Sequence, residues 1–353
     1  MKIKLVTHIV GLLALGLLLA ACMPGPAPAQ PSGPYWPTGD WRTAAPEEQG
    51  MDAHKLAQMQ AAIEQEDLAL HSLLVIRNGY IVSETYYGKY TANDRHDLYS
   101  CTKSFVSTLV GIAIDQGLID GTGQRMLAYF SGHSFANVDA RKEAMTLADV
   151  LSMQTGLAWE EGDPAYISLS RSPDWVAYML DLPMQAPPGS QFNYCSGCSH
   201  LLSAMVGQAS ETGARDFAER YLFKPLGIRQ ARWDIDPHGN PIGGWGLQLT
   251  PREMAKLGYL YLHHGEWDGQ QVVPAQWVAE ATRRHAGDEG ELGYGYQWWT
   301  YPALDAYTAL GRGGQTIFVV PGADLVIVTT ADLEDHDAIF DLIETYIVPA
   351  VQT

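Results

Sequence analysis

The sequence predicts an α+β fold: an antiparallel sheet formed by both chain ends, flanked by helices, with a mainly helical region inserted between them. Three observations carry this. Two β-rich runs, His71–Arg77 and Tyr80–Glu84, flank Asn78-Gly79, a strong signal for a tight hairpin. Near the other end, Thr316–Val320 and Leu325–Thr329 flank the turn-forming Pro321-Gly322-Ala323-Asp324. The stretch from Gly121 to about Thr282 instead carries helix-start signals and long irregular connections. The sheet part is therefore expected over residues 43–120 and 290–353 and the helical part over 121–289, with no internal repeat.

The amino end stands apart from this body. Lys2 and Lys4 precede an apolar run from Ile9 to Leu19, too short for a spanning helix, and then Leu19-Ala20-Ala21-Cys22. That pattern resembles a bacterial lipoprotein signal, with residues 1–21 removed and Cys22 lipidated. The expected location is an exported, membrane-anchored lipoprotein facing the periplasm or the exterior. Pro, Ala and Gly dominate Pro24 to Pro37, so residues 22–42 read as a tether to a folded domain spanning 43–353. The formal net charge of −18 repels phosphate backbones and speaks against a nucleic-acid partner.

Asp52 can cap a helix whose apolar residues Leu56, Met59 and Ile63 share one side. After the first hairpin, a polar segment leads into an apolar helix beginning near Ser100 and stopping at Gly117. Met145–Leu151 reads as a short helix, and Ser172-Pro173-Asp174-Trp175 starts another with serine as cap. Thr250-Pro251-Arg252-Glu253 is a capping box. A last helix covers about Ala338 to Ile347, and Asp332, Glu334, Asp335 and Asp337 suit its N-terminus better than a calcium site. His263 and His264 sit in a Gly-containing turn and read as solvated.

The chemistry centres on Ser100-Cys101-Thr102-Lys103, the one Ser-x-x-Lys in the chain. Residues i and i+3 share a helix face, so Lys103 Nζ can reach Ser100 Oγ. A serine hydroxyl needs an adjacent base to become a nucleophile, and a desolvated lysine can be that base. Later segments offer partners. Pro187–Gly197 presents Tyr194 and Ser196, which share one side of an extended segment, and Gly311-Arg312-Gly313-Gly314-Gln315 opens a late strand where glycines allow close approach. Cys195 and Cys198 read as small buried thiols, with a disulfide or redox pair as the alternative. No second pair matches them as a zinc site, so neither metal nor organic cofactor is expected.

These motifs, in this order, resemble the serine β-lactamase and penicillin-binding-protein superfamily, nearest the class C β-lactamase-like esterases and the 6-aminohexanoate-dimer hydrolases. The similarity extends from Pro46–Met51 through Met153-Gln154-Thr155-Gly156-Leu157, Gly243–Leu247 and Gly293–Trp299 to Pro321. It implies a β-lactamase/transpeptidase-like fold, Ser100 as acylated nucleophile, and Lys103 and Tyr194 as acid–base groups. It also implies an oxyanion site between the backbone N–H groups of Ser100 and Gln315. Ser196, Arg312, Gly313 and Gly314 would contact substrate. Two departures bear on substrate. The family's Tyr-x-Asn ends here in Ser196, and its Lys-Thr-Gly is replaced by Arg312-Gly313-Gly314, whose guanidinium keeps a charge but cannot yield a proton. The expected substrate is a small ester or amide, with Arg312 favouring a carboxylate on it.

Rival readings are a β-lactamase or D,D-peptidase-like activity on cell-wall-type substrates, and a silent surface binding protein of the same fold. A further one is Gly132-His133-Ser134-Phe135-Ala136, which nearly matches a nucleophile elbow but lacks the preceding strand. Gly243, Gly244 and Trp245 shape either a turn or a pocket wall, and Trp298 and Trp299 read as core.

Overall fold

The computed structural model describes residues 35–287 and 292–352. The expected signal, Cys22 and most of the tether lie outside these residues. The main sheet has eight strands: β1 (Arg42–Thr43), β2 (Leu70–Arg77), β3 (Tyr80–Tyr86), β4 (Gly293–Tyr294), β5 (Trp299–Tyr301), β6 (Ala306–Gly311), β7 (Gln315–Val320) and β8 (Leu325–Ala331). Their spatial order is β1-β3-β2-β8-β7-β6-β5-β4, so strands from the two chain ends meet at the β2–β8 pair, where Leu74 faces Val328. All pairings are antiparallel except the short β1–β3 contact, which is parallel and makes the sheet mixed.

Both faces of the sheet are covered, which is why its central strands read as unbroken apolar runs rather than as alternation. Along β7, Ile317 and Val319 join one core while Phe318 and Val320 join the other. The second core is closed by α1 (Ala53–Gln65) and by α7 (Asp337–Leu342) with the wider turn Ile343–Ile347. Asp52 caps α1 through the backbone N–H groups of His54 and Lys55, and Leu56, Met59 and Ile63 face inward. Before α7, Asp335 accepts from the Asp337 N–H at 3.0 Å. The first core holds α2 (Thr102–Asp115), α3 (Asp163–Arg171), α4 (Trp175–Asp181), α5 (Ser196–Ser210) and α6 (Pro251–Leu262).

Local chemistry sets most boundaries. Asn78 and Gly79 both take positive φ, 51° and 77°, as a two-residue hairpin requires. Thr250 and Glu253 form the capping box of α6, with Pro251 in its first turn. The cap of α4 is Asp174, not Ser172: the Asp174 carboxylate accepts from Ala177 N–H at 2.9 Å. A carboxylate next to the first turn outcompetes a hydroxyl two residues earlier.

The body begins earlier than the composition of residues 22–42 suggests. Trp36 packs against Tyr259, the Trp41 indole donates to Arg252 O at 3.0 Å, and Trp267 donates to Thr38 at 2.7 Å. Aromatic burial thus recruits residues 35–42 onto α6 despite their prolines. The same aromatic cluster takes in His263, whose ring lies 4.4 Å from Tyr259, so that histidine is packed rather than solvated.

Candidate active site

The polypeptide enters the site from the short strand His96–Asp97, which pairs with Leu247–Leu249. A tight turn, Tyr99–Cys101, then delivers Ser100 to the N-terminus of α2. Tyr99 takes φ +43°, a costly conformation for a bulky residue, and its N–H is held by the Asp97 carboxylate at 2.8 Å. Gly311, at the end of β6, lets that strand approach the turn: a Cβ there would sit 2.2 Å from Leu98 O and 3.2 Å from Ser100 N.

Lys103 follows one turn later and is only 1% exposed. Its Nζ donates to three acceptors: Ser100 Oγ at 2.8 Å, Ser196 Oγ at 2.9 Å and Gly244 O at 2.8 Å. Burial pulls its pKa down to about 7, against the opposing pull of the Glu161 carboxylate. Tyr194 lies on the other side of the amine, its ring centroid 4.8 Å from Nζ, stacked on Trp299. Burial pushes the Tyr194 phenol well above its usual range, with a hydrogen bond to Ser100 working against that shift. At neutral pH the site therefore holds an amine near its midpoint and a protonated phenol.

Ser100, Lys103, Tyr194 and Ser196 are brought together as expected. Gln315 starts β7 beside them, where its carbonyl accepts from the buried Cys101 thiol at 3.3 Å. Arg312 lies at the rim, its guanidinium 6.0 Å from the Tyr99 ring centroid. The two glycines after it behave differently. Gly313 and Gly314 adopt φ +80° and +87° to make the β6–β7 turn, and Gly314 faces Ile339 and Leu333 rather than the cavity of Ser100. Cys195 and Cys198 form a disulfide in the first turn of α5, not a pair of free thiols; their Cα atoms are 5.2 Å apart, within bridging range. Ser134 sits exposed in a turn with no strand before it, so the elbow reading falls.

Other residues complete the site: Gly244 and Trp245, which the sequence left open between a turn and a pocket wall, and Glu161, Tyr166, Ile167 and Trp175, which sequence reasoning did not single out. A cavity of about 360 Å³ opens over Ser100, walled by Tyr166, Ile167, Trp175, Trp245 and Arg312. Trp245 meets Tyr166 edge-on with centroids 5.2 Å apart, and Trp175 at 5.7 Å. Gly244 must be a glycine to approach α5, since a Cβ would lie 2.6 Å from Ser196 O. Glu161 accepts from Ser196 N–H at 3.0 Å, from the Trp159 indole at 2.5 Å, and from the hydroxyls of Ser196 and Tyr166. The loop from Trp159 to Arg171 is expected to shape the pocket, but it carries no spacing or motif that singles out Glu161, Tyr166 or Ile167 within it. A larger cavity, about 600 Å³, lies between α6 and β5–β6 around Tyr261, Thr300 and Tyr307, and it contains none of these groups.

Known proteins resemble this chain in sequence and in fold. The 6-aminohexanoate-dimer hydrolase of Paenarthrobacter ureafaciens is 28% identical over 298 residues, 77% of this chain and 75% of its own. A family VIII carboxylesterase superposes with a TM-score of 0.70 at 18% identity, covering 87% of this chain and 98% of that one. The octameric penicillin-binding protein homologue of Pyrococcus abyssi gives a TM-score of 0.65 at 16% identity, over 86% and 78% of the two chains. With the β-lactamase family matched from residue 35 to residue 348, nearly the whole described body, the chain belongs to that family.

Proposed function

We propose that the protein is a serine hydrolase of small esters or amides that works through an acyl-enzyme on Ser100. The observation that carries this is the buried Lys103 amine, 2.8 Å from Ser100 Oγ and titrating about where the solution is neutral. Neutral Lys103 takes the Ser100 proton as Oγ attacks the substrate carbonyl. Backbone N–H groups of Ser100 and Gln315 receive the developing oxyanion. The protonated Tyr194 phenol gives its proton to the departing alcohol or amine and regains one from Lys103. Water then attacks the acyl group by the reverse relay, releasing a carboxylic acid and restoring Ser100. The two shifts support this acid–base order, with the amine as base and the phenol as donor.

The aromatic walls suit an apolar acyl group. Likeness to a carboxylesterase and to a 6-aminohexanoate-dimer hydrolase supports an ester or small-amide substrate. Arg312, cationic and at the rim, favours substrates bearing a carboxylate. Replacing Arg312 with alanine is expected to lower kcat/KM for a carboxylate-bearing ester roughly tenfold, the scale of one charge-assisted contact, and to leave a neutral ester unaffected. Equal effects on both esters would remove Arg312 from substrate recognition.

The decisive test compares p-nitrophenyl butyrate hydrolysis by the native protein and Ser100→Ala, with intact-mass analysis of a rapidly quenched reaction. Loss of roughly a thousandfold or more, together with a butyryl adduct on Ser100, is expected. Activity surviving in Ser100→Ala would overturn the reading. Leu19-Ala20-Ala21-Cys22 further supports an exported form anchored by lipid on Cys22. Cys22→Ser should then move the protein from the membrane to the soluble fraction, and unchanged partitioning would exclude the anchor.

A further inference from the structure

The carboxylate of Glu161 lies one side chain away from the catalytic lysine, and no step above uses it. It is an acceptor-only group ringed by four donors: Ser196 N–H, Ser196 Oγ–H, the Trp159 indole and the Tyr166 hydroxyl. That ring dictates where protons point. Because the Ser196 hydroxyl is spent on Glu161, only its lone pairs face Lys103, whose Nζ donates to it at 2.9 Å. The Gly244 carbonyl, 2.8 Å from the same nitrogen, can likewise only accept. A neutral amine has two N–H bonds and one lone pair. With both N–H bonds committed to Ser196 and Gly244, the lone pair is left facing the third partner, the Ser100 hydroxyl at 2.8 Å.

We infer that Glu161 is a positioning residue: through Ser196 it orients the Lys103 lone pair onto Ser100. The inference rests on the acyl-enzyme reading of Ser100. Glu161 opposes the loss of the Lys103 proton, whereas burial promotes it. The other titratable groups facing this pair are Tyr194, Tyr166, Tyr294 and the Cys101 thiol, all kept protonated at neutral pH by burial. The Arg312 charge acts on Tyr166. Glu161 is thus the one negative charge acting on Lys103 among these groups. A glutamine in its place would carry no charge and would present an N–H₂ to Ser196. The serine hydroxyl could then turn back toward Lys103 and compete for its lone pair.

The test is a pH–rate series on the whole protein with p-nitrophenyl butyrate for Glu161→Gln, Ser196→Ala and the double variant, with melting curves alongside. In Glu161→Gln the rising limb of kcat/KM should move to lower pH by roughly 1 unit, the scale of removing one nearby opposite charge. Its kcat should fall roughly tenfold or more with KM little changed. In the Ser196→Ala background the same substitution should change kcat less than about twofold, because the two residues act in series. An unshifted limb, or fully additive losses, would overturn the inference and leave Glu161 as a wall-building residue. If Glu161→Gln does not fold, Glu161→Asp decides: the charge is retained but withdrawn by one methylene, so the limb should stay and kcat fall severalfold, and native kcat would overturn the proposal. A butyryl adduct on Ser100 of the native protein separates the outcomes, since its absence would fail the acyl-enzyme reading itself.

Discussion

At the scale of single residues, the site depends on how strongly burial acts on two protons. In the proposed mechanism Lys103 must lose its proton to act, so activity should rise with pH through a midpoint of about 7 and be low well below it. A limb centred near the ordinary lysine value instead would show that the amine is not desolvated during turnover. The same burial has a stability consequence of definite sign. The folded-state pKa lies below the unfolded value of 10.5, so the unfolded chain binds more protons between about 7 and 10.5, and stability rises with pH across that window. Comparison with Lys103→Met isolates the effect. The stability difference between the two proteins should move in favour of the native one as pH is raised from about 6.5 to about 9.5. Ser100, Lys103 and Tyr194 were legible in the sequence because short spacings and a rigid extended segment fix their directions locally. Glu161 was not, because it reaches Ser196 from an irregular loop 35 residues away, and no local pattern encodes that approach.

At the scale of elements, helices and strands were readable wherever a cap or turn supplies its own chemistry, as at Asp52, Asn78-Gly79 and Thr250–Glu253. Reading failed where tertiary contact decides. The two-residue β1 has too little sequence to declare a parallel partner; Cys195–Cys198 failed for a different reason, since a spacing of three suits free thiols and a bridge alike. Packing between elements also yields a sharp expectation at Gly258 on α6. A Cβ there would lie 2.6 Å from Val326 Cγ1 and 2.9 Å from Ile317 Cγ2, both stiff side chains in the sheet beneath. Gly258→Ala should therefore destabilise the protein by about 1–3 kcal/mol, despite alanine's better helix propensity. Urea unfolding would measure it, and a gain in stability would mean that α6 shifts freely over β7 and β8.

At the scale of the whole molecule, the body is strapped together by segments remote in sequence. Residues 35–42 cross α6 with Trp36 and Trp41 against Tyr259. A chain starting at Thr43 should melt several degrees below one starting at Tyr35, given two indoles lost from packing; equal melting points would make the segment a passive leader after all. The general plan of sheet ends around a helical middle was legible because those runs are long and strongly patterned. The pairing of residues 70–77 with 325–331 has a further consequence, in time rather than space. Local helices of the middle region can form while the chain is incomplete, but the strand that brings Gln315 beside Ser100 is joined only when the most distant contacts close. Ser100 and Lys103 are made early, and Gln315, the oxyanion partner we propose, arrives last. A partly made chain would thus carry its nucleophile without the means to use it, and in refolding, hydrolytic activity should return with the slowest phase, after most helical signal has recovered.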